Sequence, residues 1–297
     1  MPARDVALAL LVAVMWGVNF VVMKHAVSEV PPLALSGIRF TLAAVPAIFL
    51  LRRPDMPWRY ILGFGFLFGV IKFGLLFTAF HVGMPSGLAA LVLQLQAAFS
   101  IALAYVWFAE RPTRAQWSGL ALALVGAAVV MSGVSGSATL LPVALTLAAA
   151  IAWGFANMVT KSAMGSGRKV DMLAFAAWTS LLPGIVMTAA SLVIEGPAAG
   201  IGAITYASPL GLAAIAYLIW PVSLGSGAIW AGLLSRHPTA AVTPFALLVP
   251  VIGLGCGWAV YGETLSGTAA VGAILIALGL FVLVVGGRPG RQVSPAS

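Results

Sequence analysis

Of 297 residues, 62% are hydrophobic and only 7% are charged, and the mean hydropathy is +1.09. A soluble domain carries about 25% charged residues, so this composition excludes a soluble globular chain and requires a polytopic membrane protein. On such a chain the formal charge of +8 is an orientation signal before it is a nucleic-acid footprint, and no nucleic-acid partner is expected.

Apolar runs of about 20 residues, enough to cross the hydrocarbon core, fall at 5–24, 33–51, 60–80, 86–108, 115–132, 139–161, 171–193, 207–233, 239–260 and 267–286. These predict an all-α integral membrane protein with ten transmembrane helices and the lipid bilayer as its surroundings. The first run follows Arg4 as a secretory signal would, but an echo in mid-chain identifies it as a retained helix. That echo pairs Trp16-Gly17 through Lys24 with Trp153-Gly154 through Lys161, 137 residues later, each with an amide (Asn19, Asn157) just after the Trp. At the same offset Pro46 falls on Pro183. Toward the ends of the halves, Glu110, Thr113, Gly119 and Gly126 return as Glu263, Ser266, Gly272 and Gly279, at an offset of 153. The chain is thus read as two copies of one unit, 1–134 and 138–288, followed by a tail at 289–297.

Loop charges set the expected orientation. Arg4, Arg52, Arg53, Arg59, Arg111, Arg114, Lys161, Arg168, Lys169, Arg236, Arg288 and Arg291 fall on the side of both termini, which is therefore predicted to be cytoplasmic. Opposite loops hold only Lys24, while Arg39 and Lys72 fall inside spans. Five spans per unit is an odd number, so the second copy enters the membrane inverted, the arrangement that supports alternating access with substrate near the midplane.

Ten spans in two inverted halves, a Trp-Gly with Lys eight residues on, and Glu-x-x-Thr/Ser-x5-Gly-x6-Gly closing each half together resemble the EamA family of the drug/metabolite transporter superfamily. Within it the chain looks most like the bacterial aromatic amino-acid exporters of the YddG type. The resemblance covers roughly residues 6 to 286 and implies export of small metabolites across the bacterial inner membrane, with no cofactor and no need of an oligomer.

All seven carboxylates (Asp5, Glu29, Asp55, Glu110, Asp171, Glu195, Glu263) fall at predicted helix ends or in loops. A carrier of cationic drugs needs a buried anion and a proton-coupled antiporter usually has one, so both readings are disfavoured. Lys72 in the third span and Arg39 in the second are costly at such depth unless they face a wet cavity or a partner, which makes them candidate substrate contacts; bonding to backbone carbonyls or snorkelling is the structural alternative. The amides Asn19, Gln94, Gln96 and Asn157 must face the protein interior. They serve either substrate or helix-to-helix bonding, and on a regular helix Gln94 and Gln96 point about 200° apart. Trp16, Trp153, Trp178 and Trp220 are expected at depth, as packing or as pocket wall, whereas Trp58, Trp107 and Trp117 anchor at the interface.

Pro46, Pro183, Pro221, Pro244 and Pro250 are read as kinks and candidate gates or hinges. The last two align with Leu91 and Ala97, so the fourth and ninth helices are expected to line the pathway asymmetrically. The paired glycines are assigned to close helix packing. His25, His81 and His237 are far apart and Cys256 is the sole cysteine, so no metal site and no nucleophile with a base is suggested. The expected function is export of small amphiphilic metabolites, foremost aromatic and large apolar amino acids. Alternatives are another metabolite on the same fold, drug-like or phosphorylated, and less readily an enzyme or channel.

Overall fold

The computed structural model describes residues 1–132, 137–164, 170–198, 202, 205, 207–237 and 239–286. Arg168, Lys169, Arg288, Arg291, the expected repeat end at 134 and the tail at 289–297 lie outside them. Among the described residues ten helices are long and apolar enough to cross a membrane: α1 (Ala3–Glu29), α2 (Pro32–Leu50), α3 (Trp58–His81), α4 (Ser86–Phe108), α5 (Arg114–Ser132), α6 (Leu140–Met164), α7 (Met172–Ile194), α8 (Pro209–Leu234), α9 (Pro244–Tyr261) and α10 (Gly267–Val285). Each meets the sequence expectation within a few residues. The ninth starts later than expected because Thr239–Val242 forms a separate turn and Thr243–Leu247 winds as a 3₁₀ helix.

Glycine contacts establish the inversion. A Cβ on Gly119 of α5 would lie 2.7 Å from the Gly279 carbonyl oxygen of α10, and one on Gly126 would lie 2.7 Å from that of Gly272. The earlier glycine of α5 thus meets the later one of α10, so the two helices run antiparallel. They are also repeat equivalents, so the second five-helix unit is upside down relative to the first. Contact this close requires residues without side chains, as the sequence pattern suggests. A similar crossing joins α2 to α7, where Gly37 abuts Thr188 and Gly184 abuts Thr41.

The repeat extends to helix irregularities that hydropathy does not mark. Gly65–Lys72 in α3 and Leu218–Ser226 in α8 are both wound as π-helix, and their starts are 153 residues apart. The turn at Gln94–Leu95 that divides α4 corresponds to the end of the 3₁₀ segment of α9. Of the five prolines, Pro221 alone lies in a wide, irregular stretch. Pro46 and Pro183 sit inside unbroken helices. Pro244 opens the 3₁₀ turn and Pro250 falls in the first turn of the regular helix from Leu248, where a missing N–H removes no intrahelical bond. Gln94 and Gln96 do point apart, the first to Ala246 and the second to Asn157 of α6, although a turn at Gln94–Leu95 interrupts the regular helix assumed for them.

Candidate functional site

Two cations meet inside the bundle. Arg39 of α2 and Lys72 of α3 are each 4% exposed, and both charges approach the Phe73 ring, its centroid 4.2 Å from the Arg39 guanidinium carbon and 3.4 Å from Lys72 Nζ. Phe68 and Trp153 complete a cage around the ammonium, each with its centroid 4.6 Å away. Lys72 ends the π-helical stretch of α3; such widened turns are frequent at functional sites. On α8 the matching π stretch presents Ser223, whose Oγ accepts from Arg39 Nη2 at 3.0 Å and Nε at 3.3 Å, and donates to the Leu218 carbonyl. Arg39 Nη1 is buried without an acceptor.

No carboxylate pairs with either cation among the described residues. Burying an ion costs several kcal/mol, whereas a desolvated cation–π contact returns about 2 kcal/mol. Ring faces and one hydroxyl therefore leave the pair short of an anion. An arrangement of this kind can receive an anion against an aromatic wall.

A second cluster lies one turn along α6. Asn157, four residues after Trp153 and so on the same face, donates through Nδ2 to Gln96 Oε1 (2.7 Å) and Ser100 Oγ (2.9 Å) of α4. Both Asn157 and Ser100 line a cleft of about 320 Å³ that also contains Glu110, Arg111, Gln116 and Lys161. The cleft opens on the face of the bundle that carries the N-terminus, here called the terminal face.

Other expected site residues lie elsewhere. Gln94 donates to the Ala246 carbonyl of the 3₁₀ turn at 3.2 Å. Trp16 donates to Ser226 Oγ at 2.7 Å and packs on Trp230. Among the described residues Asn19 donates to Met23 Sδ, at 3.7 Å, and its buried Oδ1 meets no donor. Of the tryptophans expected at depth, Trp220 lies near the middle of its span but faces outward, so it is neither core packing nor pocket wall, and Trp178 lies beside a helix end. Trp220 is 54% exposed on the outer wall, and Trp178 donates to the Leu51 carbonyl at the end of α2 and packs on Trp58.

The carboxylates hold helix ends, often across the repeats. Glu195 accepts from the Leu33 and Ala34 amides at the start of α2, Glu29 from Ser208 before α8, and Glu263 from Ser86 and Gly87 at the start of α4. Asp5, in the first turn of α1, lies 2.6 Å from His237 Nε2. Burial works to raise the Glu263 carboxyl, but the hydrogen bonds from Lys24, Ser86 and Gly87 outweigh it and hold the group below its ordinary value.

The model of the EamA-like transporter family matches residues 4–132 and 140–285. The chain belongs to the EamA-like transporter family. This EamA-like chain is 39% identical to a "Probable amino-acid metabolite efflux pump" of Escherichia coli (strain K12), with all of both chains covered. It is also 39% identical to the protein of that description in Salmonella typhimurium, over 98% of each chain. An "Uncharacterized inner membrane transporter YedA" of Escherichia coli is 28% identical over 95% of this chain and 90% of its own. A solved crystal structure shares the fold with a TM-score of 0.63 at 19% identity, covering both chains fully.

The EamA-like sequence left Phe68, Phe73 and Ser223 unremarked. Phenylalanines at −4 and +1 around a lone intramembrane lysine were the available sign, since position −4 stacks on the same helical face. Ser223, two residues after Pro221, was a hydroxyl beside an interrupted helix.

Proposed function

We propose that this chain is an inner-membrane exporter of small amphiphilic metabolites, foremost amino acids with aromatic or large apolar side chains. The observation that carries the reading is the buried Arg39–Phe73–Lys72 cluster, with which no carboxylate pairs among the described residues. A substrate carboxylate supplies the missing anion, and Phe68 and Trp153 offer apolar faces to its side chain. The names of the two relatives at 39% identity, amino-acid metabolite efflux pumps, support the same substrate class. Substrate enters by the terminal-face cleft, which we take as cytoplasmic from its arginines. It then passes one turn along α6 to the cations, and leaves when the repeats, 1–134 and 138–288, rock against each other. No ionisable acid lies at mid-depth among the described residues, so exchange runs on the substrate gradient.

The test is counterflow of labelled phenylalanine into proteoliposomes preloaded with unlabelled phenylalanine, with no ion gradient. Saturable uptake is expected, competed by tryptophan and leucine. Because two adjacent cations also suit a dianion, competition by phosphorylated metabolites instead of amino acids would reassign the substrate. Absence of exchange by folded protein would remove the amino-acid reading.

A further inference from the structure

Two lysines and two glutamates that are repeat equivalents form two ion pairs, and each pair joins one repeat to the other. Lys24 of the first half binds Glu263 of the second, Nζ to Oε1 at 2.5 Å. Lys161 of the second half binds Glu110 of the first. Because the halves are inverted, the pairs lie on opposite faces: Lys161–Glu110 lines the terminal-face cleft, and Lys24–Glu263 ties α1 to the loop between α9 and α10 on the other side. Helix pairs α1–α9 and α4–α6 are repeat images, so the ties close equivalent seams of the bundle.

Their surroundings differ. Glu263 is 13% exposed and accepts further bonds from the Ser86 amide and hydroxyl, both at 2.9 Å, and from the Gly87 amide at 3.0 Å, while Lys24 also lies over the Tyr261 ring. Glu110 is 52% and Lys161 41% exposed, beside open space. An exposed pair is screened and holds weakly, whereas a desolvated, hydrogen-bonded one holds firmly. One face is thus fastened and the other only lightly tied.

We infer that the two swapped Lys–Glu pairs are reciprocal latches of the transport cycle. Lys24–Glu263 keeps its face shut while the cleft admits substrate, and Lys161–Glu110 secures the terminal face when the first pair has parted. This rests on the alternating-access reading above. Lys24, Lys161, Glu110 and Glu263 become positioning residues that set the balance of states without touching substrate.

The experiment uses full-length protein with Cys256→Ala and one reporter cysteine: Ser100→Cys in the terminal-face cleft, or Leu88→Cys in the small cavity beside Glu263. Labelling rates with a small maleimide are compared in purified protein of verified thermal stability. Lys24→Gln, which leaves Glu263 its bonds to α4, is expected to raise the Leu88→Cys rate and lower the Ser100→Cys rate, with the ratio of the two rates shifting about five-fold, the change that roughly 1 kcal/mol produces in a two-state equilibrium. Glu110→Gln is expected to do the converse. The charge-swapped double variant Glu110→Lys with Lys161→Glu should return both rates toward the parent, which a merely loosened loop would not. Rates that rise together, or do not move, overturn the proposal. No substrate enters the assay, so the latches and the amino-acid reading can fail separately.

Discussion

Phe73 is shared by two buried cations, for which ring faces and, at Arg39, the Ser223 hydroxyl stand in for water. If a substrate carboxylate completes the site, removing one charge costs a charge-assisted hydrogen bond, about 1.5–3 kcal/mol, or roughly ten- to a hundredfold in affinity. Lys72→Gln is therefore expected to raise the half-saturating phenylalanine concentration in counterflow by that factor, with thermal stability unchanged or increased. Ser223→Ala should weaken exchange only about five-fold, the value of one ordinary hydrogen bond, because Arg39 keeps its charge and its ring. Lys72 and Arg39 were legible in the sequence because a cation inside an apolar run stands out on hydropathy alone. Phe68 and Phe73 were not, since a phenylalanine in a membrane span has no feature separating cage from packing. Asn157 and Gln96 were found as interior amides, but the bond that joins them depends on the approach of α4 to α6.

At the scale of helices, the number and order of spans follow from apolar length, and the paired glycines from their seven-residue spacing. The π-helical turns of α3 and α8 do not, because they widen the helix without any change of polarity. Lys72 ends the first and Ser223, which accepts from Arg39, lies within the second. Pro221 lies in the second of them; Pro221→Ala is expected to allow regular α-helix there, shifting Ser223 and lowering exchange while raising the unfolding temperature. The α5–α10 crossing carries a sharper expectation. A Cβ on Gly126 would already lie 2.6 Å from the Ile276 amide nitrogen, and overpacking of this kind costs about 1–3 kcal/mol. Gly126→Leu should lower the unfolding temperature by several degrees, whereas Leu at exposed Val125 should leave it unchanged.

For the molecule as a whole, inversion was legible from the odd number of spans per copy, but the caps that one repeat gives the other were not, since sequence shows a carboxylate in a loop and not the helix end it meets. One of them makes stability depend on pH. Glu263 has its carboxyl held below the ordinary 4.5, so its contribution is fully present above that value and is lost as pH falls through the depressed one. The unfolding-temperature difference between the parent protein and Glu263→Gln should be constant near neutrality and shrink in increasingly acidic buffer below pH 4.5; a difference that grows on acidification would contradict the assignment. The glycine crossing has a consequence in the order of synthesis. Gly119 and Gly126 leave the ribosome with α5, but the surface they fit belongs to α10, made five spans later. Half the wall must wait in lipid, unpaired, while five more helices insert, so a nascent chain released before Gly267 lacks its seam and is a substrate for membrane quality control.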